Sequence, residues 1–82
     1  MYSVQFDPVA IDVLKKLPKN IHARIYDKII STKENPLRYF ERLAGRPDYK
    51  LRVGDYRVIA DIIREKELIQ VTFIGHRKNV YD

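Results

Sequence analysis

Cysteine is absent from this 82-residue chain. That absence removes disulfides, thiolate nucleophiles and thiolate zinc sites together, and it fits a reducing compartment. Tryptophan is absent as well, and the only histidines, His22 and His76, stand far apart in sequence. No carboxylates are spaced around them as a ligand set, so neither a metal nor a cofactor is expected. No apolar run approaches the roughly 20 residues of a membrane-spanning helix. Met1 to Phe6 also lacks the basic and apolar regions of a secretory signal, so the expectation is a cytoplasmic protein with no membrane association. Linkers, repeats and low-complexity segments are missing too, and the length is that of one domain with room for one core and one site.

What is present is an ordinary globular composition, 45% hydrophobic and 33% charged, with tyrosine supplying six of nine aromatic residues. Lys and Arg number 16 against 11 Asp and Glu, a net charge of +5. A surplus of that size favours polyanions or an acidic protein as partner.

Residues 2–6 read as a short strand. Asp7 followed by Pro8 is a helix start, an N-cap carboxylate and then a proline in the turn that tolerates it. Val9, Val13, Leu14 and Leu17 recur at helical spacing until Pro18 interrupts them. Ile21, Ile25 and Ile29, with Ile30 beside them, mark a second helix whose Lys28, Lys33 and Glu34 face water, and Asn35 with Pro36 should stop it. The connection around Pro18 to Asn20 is short enough to make the helices an antiparallel hairpin. Three β-type runs follow, Tyr49 to Val53, Tyr56 to Arg64 and Leu68 to Ile74, parted by Gly54 with Asp55 and by Glu65 to Glu67. The prediction is a single small α+β domain: a strand, a helix hairpin, then a three-stranded antiparallel meander with both helices on one face.

Alternation divides each strand. Tyr49, Leu51 and Val53 share one face, which leaves Lys50 and Arg52 together on the other. Val58, Ala60 and Ile62 form one set of the next strand, and Arg57, Ile59, Asp61 and Ile63 form the other, so this strand should be central and buried on both sides. In the last strand Ile69, Val71 and Phe73 should meet the helices. Simple hairpins would then bring Gly75, His76, Arg77 and Lys78 beside Lys50, Arg52 and Arg57. Arginine's planar fork suits bidentate binding of phosphate oxygens, and such a cluster repels itself unless a partner or solvent screens it. The plainer reading is a solvated face of a basic protein. His22 reads as a surface or boundary residue. Tyr2, Tyr26, Tyr39 and Phe40 read as packing aromatics, with Tyr39 and Phe40 also able to touch a partner.

The run Leu43, Gly45, Tyr49 to Arg57, followed by Gly75, His76, Arg77, Val80 and Tyr81, resembles the RelE branch of the RelE/ParE superfamily of toxin–antitoxin toxins. The likeness extends over nearly the whole chain. It implies a fold similar to small microbial ribonucleases and a ribosome-dependent endoribonuclease that cuts mRNA in the ribosomal A site by metal-independent attack of the RNA 2′-hydroxyl. It also implies a cognate antitoxin, small, acidic and helical, as partner. By position, Lys50 and Arg52 match the basic pair of the first hairpin strand, Arg57 the phosphate-clamping arginine, and Arg77 the arginine near the leaving group. Tyr81 matches the tyrosine that stacks on the substrate base, with Lys78 beside it as a further substrate contact. Arg52 departs from the pattern, because the best-known RelE members carry there a lysine proposed as general base, and an arginine keeps its proton. His76 becomes the candidate for proton transfer by residue type, and its plainer role is to cap the strand end. The plainer reading of Tyr81 is an aromatic that folds back to close the core. Two other functions share the scaffold: a ParE-like poison of DNA gyrase, and a catalytically silent homologue that only binds its antitoxin.

Overall fold

The computed structural model describes residues 1–76. The chain forms β1 (Ser3–Phe6), α1 (Pro8–Lys16), α2 (Lys19–Ser31), α3 (Pro36–Tyr39), β2 (Glu41–Arg42), β3 (Tyr49–Val53), β4 (Tyr56–Ile63) and β5 (Leu68–His76), with a 3-10 turn at Arg64–Lys66 before β5. The strands make one sheet in the order β1-β5-β4-β3-β2. β3, β4 and β5 are the antiparallel meander read from the sequence, with β4 central. The structure adds an edge at each side. β1 pairs with β5 in parallel, and the two residues of β2 pair antiparallel with Tyr49 and Lys50. Neither β2 nor α3 is expected from periodicity, because two and four residues are too short to display one.

The helices close one face of the sheet. Ala10, Leu14, Ile25 and Ile29 meet Leu51, Val53, Val58, Ala60, Ile69, Val71 and Ile74 in one buried core. The stripe of α1 runs through Ala10, Val13, Leu14 and Leu17, so Val9 is outside it and more than half exposed, contrary to the sequence reading. Leu17 has an extended backbone, as a residue before proline prefers, and this ends α1. His22 then ties α2 back to α1, its Nδ1 3.0 Å from the Leu14 carbonyl oxygen. A carbonyl only accepts, so the imidazole nitrogen there is the protonated one. Among the contacts sequence patterning cannot place, this is a structural use for His22.

Three further details differ from expectation. Asp7 stands at the N-cap position, but its side chain makes no cap bond, and Gln70 Nε2 donates to its Oδ1 at 2.6 Å. α2 ends at Ser31 rather than at Asn35, where the Thr32 hydroxyl donates to the Ile29 carbonyl at 2.6 Å and the Ser31 hydroxyl to the Lys28 carbonyl at 2.7 Å. Hydroxyls that bond nearby carbonyls compete with the helix ladder, and Pro36 opens α3 instead of stopping α2. The third difference lies in β5. Ile59 pairs with Phe73 and Ala60 with Val71, so Thr72 is an extra residue, a β-bulge. The bulge flips the alternation, and Ile74 rather than Phe73 enters the core.

The β3–β4 turn has two residues, of which Gly54 alone takes a positive φ, +58°. A Cβ there would lie 3.1 Å from the Arg24 guanidinium, which is the mobile end of a long side chain and can move aside. The backbone conformation cannot. Gly54→Ala is therefore expected to lower stability by about 1–2 kcal/mol, the usual strain of an L-residue in the left-handed region, read as a lower urea midpoint at unchanged slope.

Candidate functional site

Arg52 and Arg57 are direct cross-strand partners on β3 and β4, and Gly75 of β5 is the next residue in the same row. Lys50 lies two residues before Arg52 on the same face of β3. All three basic side chains line one recess of about 260 Å³. Arg52 is exposed, Lys50 half-buried and Arg57 buried at 5% exposure, so the cations sit at different depths of a single site. Gly75, whose α-carbon pairs with that of Arg57, leaves the row without a side chain on β5.

The recess also takes residues from outside the meander. Lys28 comes from α2, Tyr39 from the end of α3 and Glu41 from β2, and the core residue Leu51 borders the recess between Lys50 and Arg52. Glu41 is the cross-strand partner of Lys50 and, among the described residues, the one carboxylate of the lining, against four cations. Lys28 Nζ lies over the Tyr39 ring, 5.5 Å from its centroid. These three residues escape a strand-by-strand reading because they arrive through α2, α3 and β2, and only the tertiary fold sets them beside Lys50. A second, open groove continues along the outer edge of β3, where Arg24, Asp27 and Ser31 of α2 face Arg52, Val53 and Gly54.

His76 is placed differently from the sequence expectation. It pairs with Tyr56, one row beyond Arg57 and Gly75, and its ring meets the Tyr56 ring edge-on at 5.2 Å and 77°. Tyr56 packs on the helix-side core. Side chains of adjacent residues in a strand point to opposite faces, so the row of Tyr56 and His76 faces away from that of Arg52 and Arg57. His76 is accordingly not among the residues that line the recess. Arg77, Lys78 and Tyr81, the remaining predicted contacts, lie outside the described residues.

Chemically, the recess can bind a dense anion. Several forked or point-charge donors from separate elements surround a space with, among the described residues, one competing carboxylate, and an oxyanion that gains charge would be held more tightly as it does so. Among the described residues no group of three or more His, Asp or Glu is placed to hold a metal ion, and no helix is long and apolar enough to cross a membrane.

Comparison with known proteins gives the same picture over the length of the chain. The family described as the ParE toxin of the type II toxin–antitoxin system, parDE, matches residues 4–81. The mRNA interferase toxin RelE of Escherichia coli (strain K12) is 30% identical over 80 residues, 94% of this chain and 84% of that protein. A chain of the intact E. coli RelBE toxin–antitoxin complex superposes with a TM-score of 0.79 at 29% identity, covering 93% of this chain and 96% of that one. A chain of the RelBE2 toxin–antitoxin complex of Mycobacterium tuberculosis gives 0.83 at 28% identity, covering 93% and 98%. With the family model matching residues 4–81 and the fold shared with solved relatives at TM-scores of 0.79 and 0.83, the chain belongs to the RelE/ParE superfamily of type II toxin–antitoxin toxins, in its RelE branch.

Proposed function

We propose that this toxin is a ribosome-dependent mRNA endoribonuclease that uses the Lys50, Arg52 and Arg57 recess to hold the scissile phosphate. The observation that carries the reading is the convergence of these three cations, from two strands and at three depths, on one small recess. In the reaction the RNA 2′-oxygen loses its proton and bonds to the adjacent phosphorus. The bond to the 5′-oxygen breaks, and that oxygen takes up a proton. The products are a 2′,3′-cyclic phosphate and a free 5′-hydroxyl. The phosphorane-like state carries more negative charge than the diester, so donors already fixed around it lower the barrier. Arg57, buried and forked, suits the non-bridging oxygens, and Lys50 with Arg52 suits the flanking backbone. Arg77 is assigned to the leaving oxygen and Tyr81 to a stacked base, with Lys78 on the neighbouring phosphate. Because Arg52 keeps its proton and His76 shares the Tyr56 row, the general base is assigned to neither of them.

The partner is a cognate antitoxin, acidic and helical, since a recess whose described lining has four cations and one carboxylate attracts acidic segments in a salt-sensitive way. A second reading has one observation in its favour, the match to a family named for ParE. It is a gyrase poison that binds an enzyme and leaves RNA intact.

Inducible expression separates the two. Wild type should stop translation promptly and create new mRNA 5′ ends within reading frames, with DNA intact, whereas Arg77→Ala should lower cleavage by about a hundredfold, as loss of a transition-state donor does. Equal growth and unchanged 5′ ends for both forms would remove the ribonuclease reading, and DNA breakage before translational arrest would establish the gyrase one.

A further inference from the structure

Lys28 and Tyr39 are not used by the phosphate chemistry just described, yet both line the recess. Among the described residues Tyr39 is the one aromatic of that lining, and it keeps 43% of its surface exposed, so its ring is open to a ligand. Its position is nevertheless fixed. Pro36 on one side and Phe40 on the other are buried, and the Phe40 N–H donates to the Pro36 carbonyl at 2.9 Å, closing the single turn of α3. The ring is oriented by Lys28 of α2, whose ammonium lies 5.5 Å from the ring centroid. An anchored, exposed ring beside four cations is arranged as single-strand readers arrange theirs, with an aromatic platform next to a phosphate track.

We infer that Tyr39 and Lys28 form a nucleotide subsite on the helical side of the recess: Tyr39 stacks on the base neighbouring the scissile phosphate, and Lys28 holds the adjoining phosphate. The inference rests on the RNA reading of the recess and extends it to a second nucleotide. Stacking on a ring needs no particular base, so the subsite contributes affinity and register rather than sequence choice. Lys28 also lines the open groove along β3, which gives the strand a continuous path past Arg52.

The test is equilibrium binding of a short fluorescein-labelled 2′-O-methyl RNA single strand, which lacks the attacking hydroxyl and stays intact, to the full chain at low salt. Tyr39→Leu should weaken binding by about tenfold, the size expected for one lost base stack, while Tyr39→Phe, which keeps the ring, should stay within about twofold. Lys28→Gln should weaken binding by a few-fold and reduce the slope of log affinity against log salt by about 0.7, one single-strand phosphate contact. Tyr39 and Lys28 are exposed, so an unchanged melting temperature is expected and separates binding from folding.

Wild-type affinity retained by Tyr39→Leu overturns the subsite, as does no binding by the wild type at low salt. An equal loss for Tyr39→Phe overturns it too, because the hydroxyl and not the ring would then be the contact. If Tyr39→Leu instead weakens only an acidic helical antitoxin peptide and leaves RNA binding unchanged, the face belongs to the protein partner and the inference is wrong. The two readings fail separately. A wild type that cleaves mRNA with a Tyr39→Leu form that binds normally removes the subsite alone, and a stacking loss in a protein that never cleaves removes the nuclease alone.

Discussion

Replacing Arg57 by alanine should reduce mRNA cleavage on programmed ribosomes by about a hundredfold or more, the usual effect of deleting a preorganised donor to a developing oxyanion. The expectation comes from where Arg57 sits. It is buried at 5% exposure, lines the recess with Lys50 and Arg52, and stands directly opposite Arg52 across the β3–β4 pair. A buried guanidinium meets weaker solvent screening than an exposed one, so its interaction with added phosphate charge is larger than that of the exposed Arg52. Arg57→Lys retains the charge and loses the fork. It should therefore fall between wild type and alanine, and charge alone would be the cause if it cleaved like the wild type. Because Arg57 is buried, each variant needs a melting curve beside its cleavage rate. A folded Arg57→Ala protein that cleaves at the wild-type rate would exclude the recess as the catalytic site.

Ile74→Ala should destabilise the domain by about 3 kcal/mol, within the range for truncating a buried isoleucine, and Phe73→Ala by only about 1 kcal/mol. Alternation from Ile69 through Val71 would predict the reverse order, with Phe73 as the core residue. The extra residue Thr72 in the β4–β5 ladder decides otherwise, leaving Phe73 at 36% exposure and Ile74 at 0%. The Thr72 hydroxyl donates to the Ile59 carbonyl at 3.3 Å, which helps satisfy the backbone where the ladder is interrupted. For a domain of this size about 3 kcal/mol corresponds to a fall in melting temperature of more than about 10 °C, so urea and thermal unfolding resolve the two variants easily. A larger loss from Phe73→Ala than from Ile74→Ala would mean that the register of β5 runs without the bulge.

The bulge also bears on the candidate site. It lies before Gly75 and His76 in the chain, and with it in place Gly75 enters the row of Arg52 and Arg57, while His76 enters the row of Tyr56. A one-residue shift sends every later side chain to the other face. Counting alternation from the start of β5 therefore cannot tell which of these residues joins the cations. Within the first hairpin no such shift occurs, and Lys50, Arg52 and Arg57 share the face that alternation assigns them.

The sequence by itself determined the parts that local physics controls. Apolar spacing located two helices and three long strands, Pro8 and Pro18 set helix boundaries, and Gly54 set the tight turn that pairs Arg52 with Arg57. The motif residues of the meander also pointed to the toxin superfamily. The tertiary structure decided what depends on contacts between distant segments. It made β1 a parallel edge beside β5, used His22 to join two helices, and brought Lys28, Tyr39 and Glu41 to the basic strands. The reason is range: periodicity reports which side of its own element a residue occupies, whereas a recess is defined by which elements meet, and that is settled by packing of the whole core.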